Sequence, residues 1–443
     1  MGLSIPLGRN MFKVVETFSG IGAQAKALER LGIDFDIVNT CDWDINAIIA
    51  YCRIHKGGIN TNICEEYSDE EIDSFLKNTT LSMDGKKEIT DSLYKRLTPD
   101  FKRMLFAAIK QTGNFVSITD VHGSDIEEGI DLLTYSFPCQ DLSLCGAWHG
   151  NMSGISRDAH NRSGMLWEVE RILKEMHFSK RELPKFLVME NVTNILSNTH
   201  KKDFDDWKST LVSLGYVNHI YRLNSKNFGV PQKRERAYMI SVLCNGDTRK
   251  EKFVTDFFSV NDLEQKSVAR EYRNRKFYLK DVLRLDYSKQ CYKAEADICQ
   301  PNNTPSRIKI YEENDLLFDG RRVNEMYVNT LTTKQDRNPN SGLVAYNSKR
   351  DGKAKWRYLT PRECFMLMGF DEADYDAVVV ENPEYKKNTR LLTNEKLTKM
   401  AGNSICVDVL EAIFKQLIQI KSALECKNYS VNFNETDRQR NQA

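Results

Sequence analysis

The stretch FKVVETFSGIGAQAKALERLGIDFDIVNTCDW, residues 12–43, decides the fold class. Lys13–Phe18 is a β-prone run that ends in the turn Ser19-Gly20-Ile21-Gly22. Ala23–Leu31 is Ala/Leu-rich and reads as a helix stopped by Gly32. Phe35–Thr40 predicts a second strand and Asp44–His55 a second helix. Strands that alternate with helices predict a mainly parallel α/β sheet. Glycines in the first turn let the chain reverse sharply and let a ligand approach the helix N-terminus. Asp42 closes the second strand, where an acid is placed for ribose hydroxyls, and Trp43 offers a ring for stacking. The plain alternatives are a helix N-cap and a half-buried core ring. The third glycine of the dinucleotide fingerprint is missing, which disfavours NAD.

The rhythm continues downstream. Residues 65–112 are polar and helical, an insertion over the sheet. Ile130–Phe137 is an apolar strand that ends in Pro138-Cys139-Gln140, and residues 145–163 form a long Gly/Ser/Asn-rich loop. Met165–Met176 is an amphipathic helix. Phe186–Met189 is a strand ending in Glu190-Asn191-Val192. Asp203–Leu214 is a helix, and the strands Tyr216–Leu223 and Ala237–Leu243 flank a hinge-like Asn227–Arg236. After Cys244 the alternation stops. Lys266–Lys276 carries five basic residues and one acid, and residues 334–362 carry eight and two. Ser404–Ile420 is an apolar-faced helix, and the tail from Lys427 is polar. The expected division is an extension over 1–11, a catalytic α/β domain over 12–244, a basic domain over 245–390, a segment over 391–425 that returns to the first domain, and a tail over 426–443.

Composition excludes several classes. The 443 residues are 41% hydrophobic and 28% charged, as in globular chains. Lys+Arg is 63 against Asp+Glu 62, so any nucleic-acid site must be a local patch. No run approaches the length of an apolar membrane span, and the first residues lack a secretory pattern. Eleven cysteines without a C-x-x-C pair favour a reducing cytosol over disulfides or a zinc knuckle, and no cluster has metal-ligand spacing. Cys139, at a strand end before a loop, is a candidate nucleophile, although most free cysteines are small buried hydrophobes. Glu190 suits a helix cap, an arginine partner or a protonated acid that hydrogen-bonds a base edge. Arg234 and Arg236 at i and i+2 point to one side if extended, or form a solvated charged turn.

In chain order stand Phe18-Ser-Gly-Ile-Gly22, Asp42-Trp43, Pro138-Cys-Gln140, Glu190-Asn-Val192, Gln232-Lys-Arg-Glu-Arg236 and Gly402-Asn-Ser404. This succession resembles the DNA (cytosine-5) methyltransferase family across residues 12–420. RYLTPRECFMLMGF, residues 357–370, resembles its ninth block. DLLTYSFPCQDLS, residues 131–143, looks most like single-chain bacterial restriction–modification enzymes, some of which modify CpG. The resemblance implies a Rossmann-like S-adenosylmethionine-dependent methyltransferase fold. Its mixed sheet carries helices on both faces, with a smaller irregular target-recognition domain beside it.

The resemblance also implies roles. Cys139 is the nucleophile for C6 of cytosine, as thiolate, and Pro138 shapes its loop. Glu190 holds N3 and the exocyclic amine. Arg234 and Arg236 belong to the eighth block, with Arg236 the better candidate for the target base. Phe18, Gly20, Gly22, Asp42 and Trp43 line the S-adenosylmethionine site. Asp120 is a candidate for the adenine amine, and Asn403 and Ser404 on the C-terminal helix form the last wall. Gln140, Ser143 and Gln232 face DNA. The target cytosine leaves the duplex, and residues 144–163 form a lid. Leu142 stands where the family commonly has Phe, and the tenth block lies close to the chain end. Double-stranded DNA is the expected partner, with a cognate restriction endonuclease as a second, for a cytoplasmic, nucleoid-associated monomer. Two competing readings are a tRNA cytosine-5 methyltransferase, whose usual Cys-Phe-Thr motif is absent, and a non-catalytic DNA-binding regulator.

Overall fold

The computed structural model describes residues 11–138, 155, 162–335, 340–427 and 429. Cys139, Gln140, Ser143 and the loop expected over 144–163 lie outside the described residues, apart from Ile155 and the loop's last two positions. One six-stranded sheet, β2-β1-β3-β4-β7-β5, carries the site. Its strands are β1 (Phe12–Thr17), β2 (Phe35–Cys41), β3 (Leu132–Tyr135), β4 (Phe186–Asn191), β5 (Tyr216–Asn224) and β7 (Glu235–Leu243); the short β6 (Gln232–Lys233) lies outside it. β1 pairs in parallel with β2 and β3, and β3 with β4. β7 runs antiparallel to both β4 and β5. The ten residues between β5 and β7 leave no room for a parallel crossover, so the strand comes back reversed.

Alternation along each strand builds two cores. Val14, Leu132, Phe186, Val188, Tyr238, Ile240 and Val242 face one cluster, which also holds helices α1 (Ala23–Leu31) and α2 (Ile45–His55). Val15, Leu133, Leu187, Met189, Ala237 and Met239 face the other, with the helices Leu166–Phe178 and Lys201–Ser213. Period 2 thus yields a three-layer body with helices on both faces.

Glu190 ends β4 together with Asn191, as the sequence suggests. Two sequence expectations change. The C-terminal helix is Val407–Glu425, so Asn403 and Ser404 stand before it, at the end of the helix Asn394–Asn403. Ser404 is extended there (φ −69°, ψ 160°) and breaks the helical path. Finally, regular structure persists past Cys244. The helix Thr248–Val260 buries Phe253, Val254, Phe257 and Phe258 in the same core as α1, because their i, i+1, i+4, i+5 spacing forms one stripe. A separate small cluster, Cys299, Leu343, Ala354, Trp356 and Tyr358, sits by a sheet of β8 (Leu316–Phe318), β10 (Leu343–Ala345) and β11 (Trp356–Arg357). β9 (Val328–Asn329) instead pairs with β6. Among the described residues no helix is long and apolar enough to cross a membrane.

Val407–Glu425 returns to α1 through charge as well as packing. Arg30 reaches Glu411 (3.2 Å) and Asp371 (3.0 Å), Lys26 reaches Asp374 (2.9 Å), and Arg275 reaches Asp408 (2.8 Å). Deeper still, Arg357 and Glu363 form a bidentate pair with no exposed side-chain surface, both bonds at 2.8 Å. Glu363 also accepts the N–H groups of Thr360 and Arg284. Removing one partner leaves an uncompensated buried charge. Glu363→Ala is therefore expected to lower unfolding stability by about 3–5 kcal/mol. Lys252→Ala, which breaks an exposed pair with Asp256, should cost under about 1 kcal/mol. Urea denaturation of both variants reads the difference.

Candidate active site

β1 to β4 run parallel, so their C-terminal ends open on one edge, and the order places a topological switch between β1 and β3. The Phe18–Gly22 loop leaves β1 there. Phe18, Gly20 and Gly22 all have positive φ (56°, 54° and 78°). Glycine is obligatory at Gly22, where a Cβ would lie 2.1 Å from His55 Nε2. His55 Nε2 meets the Ile21 carbonyl at 3.0 Å, and burial holds the imidazole near a pKa of about 4. It is therefore a neutral Nε2–H donor that fixes the loop. Glu16, beneath the loop and fully buried, is pushed up to about 8 by burial and carries a proton at neutral pH.

Asp42 ends β2 against the same loop. Its Oδ2 accepts the Gly20 N–H (2.8 Å) and its Oδ1 the Asp44 N–H (2.9 Å). About two of its four lone-pair sites remain for a ligand. Burial first, then the charge of Asp44, raises its pKa to about 6. The helix N-cap turns out to be Asp44, which frees Asp42 for the crevice. Trp43 is half-buried against the core. Asp120 is exposed at the end of a short 3₁₀ turn; burial first, then the charges of Asp42 and Asp120, raises the Cys41 thiol. Asn114, not singled out in the sequence, accepts the Asp42 N–H and donates to the Asp42 carbonyl, both at 3.1 Å. Lys399 reaches Asp44 at 3.4 Å. Neither residue carries a local motif; the fold alone brings them here.

The opposite half of the edge follows from register. Glu190 pairs with Tyr238 across β4 and β7. Arg236 lies two residues before Tyr238 and so shares its face. The outcome is an Arg236 Nε–Glu190 Oε1 contact of 3.3 Å, with both side chains largely buried. Burial raises the Glu190 pKa, against the opposing charges of Arg236 and then Arg234. Asn191 Nδ2 donates to the Phe137 carbonyl (3.1 Å), and Ser136 Oγ donates to the Phe18 carbonyl (3.4 Å). Both bonds tie the β3 end, and Pro138 with it, between the two halves. Cys139 follows directly, outside the described residues.

Arg234 and Gln232 have other settings. Arg234 is buried and donates to the carbonyls of Leu331 (3.1 Å), Gly402 (3.1 Å) and Ser404 (2.8 Å). Gln232 is fully buried. It donates to the Leu367 carbonyl (2.9 Å) and accepts the Leu331 N–H (2.8 Å), so it does not present a free amide to solvent. Gly402 packs so closely on Thr332 that a Cβ would lie 2.6 Å from its carbonyl oxygen. Asn403 is exposed and Ser404 buried at that corner.

Residues 76–419 match the family described as C-5 cytosine-specific DNA methylase. The orphan methyltransferase M.SssI of Spiroplasma monobiae is 33% identical over 422 residues, 91% of this chain and 97% of that protein. The type II methyltransferase M2.ScrFI of Lactococcus lactis subsp. cremoris is 32% identical over 415 residues, covering 92% and 99%. Among solved structures, the S. pombe Dnmt2 methyltransferase superposes with a TM-score of 0.54 at 18% identity, over 92% of this chain and 98% of that one, a likeness of fold. With more than half its length matched and two relatives above 30% identity, the chain belongs to the C-5 cytosine-specific DNA methylase family.

Proposed function

We propose that this cytosine-C5 DNA methyltransferase takes its methyl group from S-adenosylmethionine. It modifies a cytosine flipped from a specific duplex sequence, through a covalent bond between Cys139 and C6. The Glu190–Arg236 contact carries the reading. A carboxyl with a raised proton affinity, oriented by a guanidinium beside the expected nucleophile loop, suits a donor to N3 of cytosine. Protonation at N3 offsets the charge that develops as the Cys139 thiolate adds to C6, and C5 then becomes nucleophilic. Loss of the C5 proton and departure of the thiolate restore the ring.

The crevice fits the cofactor. Phe18, Gly20 and Gly22 supply a close-approach loop and Asp42 has unused acceptor sites; Trp43, Asp120, Asn403 and Ser404 are assigned to the same crevice. When bound, S-adenosylmethionine supplies an electrophilic methyl group, leaving S-adenosylhomocysteine. Gln140 and Ser143 are assigned to DNA. Arg234 and Gln232 are assigned to positioning, since their polar groups hold the protein's own backbone. The target-recognition region is centred on the small cluster near β8, β10 and β11, within residues 245–390. The working compartment is the cytoplasm, with duplex DNA as partner and a restriction endonuclease of the same sequence specificity as the second.

Bisulfite sequencing of a plasmid from a host without cytosine methylation tests the reading. Protected cytosines in one repeated context are expected, and none with Cys139→Ala; equal protection in both would overturn the covalent step. Glu190→Gln should lower turnover by about 10²-fold or more while S-adenosylmethionine still binds, in single-turnover and calorimetric assays. Asp42 also predicts a pH effect. Its carboxylate is the better ribose acceptor, and it gains a proton as pH falls through about 6. The Kd for S-adenosylmethionine should therefore rise below that pH, and Asp42→Asn should bind more weakly with a flat profile.

A further inference from the structure

A cavity of about 670 Å³ opens where β6 meets β9. Six basic residues line it: Lys226, Lys233, Lys266, Arg270, Arg273 and Lys276. Its one acid is Glu325, whose carboxylate accepts the N–H groups of Leu279 and Lys280 and is turned to the backbone. None of the six forms an ion pair with the described residues, whereas the cations of the α1 joint are all matched by carboxylates. Lys276 Nζ lies 4.5 Å from the centre of the half-exposed Tyr278 ring, which steadies the ammonium without neutralising it. In a chain of net charge +1, six unmatched cations around one concavity repel each other unless an anion joins them.

The position names the anion. Lys233 is exposed between buried Gln232 and Arg234, three residues from Arg236. An extended chain covers those three residues in about 10 Å. A DNA strand carries a phosphate every 3.4 Å or so of helix axis, so the cavity starts a few nucleotides from the base pocket. We propose that this cavity holds consecutive phosphates of one DNA strand beside the target cytosine, as a sequence-independent anchor. The assignment rests on the DNA-modifying reading above.

The test is the salt dependence of duplex binding by the full chain. Each lost phosphate contact reduces the slope of log K against log salt by about 0.9. Arg270→Gln/Lys276→Gln should therefore flatten the slope by about 2 and weaken target and scrambled duplexes by the same factor. Arg249→Gln/Lys252→Gln, two exposed cations beyond the far end of β7, should leave the slope unchanged. An unaltered slope in the first variant, or an equal change in the second, would overturn the anchor while methylation by the parent protein stands. If the parent protein neither bound nor methylated duplex DNA, the broader reading would fall and the anchor with it. Inorganic tripolyphosphate bound by that inactive parent and lost from the variant would reassign the cavity to a soluble polyanion.

Discussion

The guanidinium of Arg234 is where the molecule is joined. It leaves the sheet side of the short connection before β7 and donates to three carbonyls from two distant segments. One belongs to Leu331, just past β9; the others belong to Gly402 and Ser404, at the end of the helix Asn394–Asn403. Burial lowers its pKa only to about 10, so it stays charged at neutral pH, and each contact is a charge-assisted hydrogen bond. Gln232 repeats the arrangement one step away, between Leu331 and Leu367. Two inward side chains of one motif thus align the sheet, the β9 segment and the Gly402–Ser404 corner. Arg236, next in the alternation, is left to meet Glu190.

That division explains how one short motif serves two ends. An arginine enclosed by carbonyls is rigid, and rigidity is what the Glu190–Arg236 contact needs from its frame. The antiparallel direction of β7 matters equally. Were β7 parallel to β4, Arg236 would begin the strand at the far edge, a sheet's width from Glu190. The single reversed strand is therefore a condition of the site.

Much of this was legible from residues 12–43, because period-2 and period-3.6 patterns there are undisturbed and glycines mark the turn. The parallel strands and the helical insertion followed from local signals of that kind, whereas the mixed sheet was implied by the family resemblance. The loop residues around Phe18 and Asp42 were legible because a strand end and a turn are local properties. Burial of Gln232 and Arg234 was not, since alternation tells which residues share a side but not which side is covered. Asn114, His55 and Lys399 carried no signal, because each acts on a residue at least 34 positions away. The Thr248–Val260 helix was missed for another reason: its apolar stripe is short, and a basic run follows it closely.

The bond between Arg30 and Glu411 spans 381 residues, and Lys421 sits near both Phe12 and Asp131. The strand β1 is completed by the helix Val407–Glu425, far away in sequence. Until Val407–Glu425 emerges, α1 exposes the apolar and charged face it will bury, and closing so long a loop is slow. A chain cut before Val407 would leave the layer around α1 unfinished. The same adjacency makes the ends of the folded body a natural place to join and reopen the chain, since a short linker there would cross little distance.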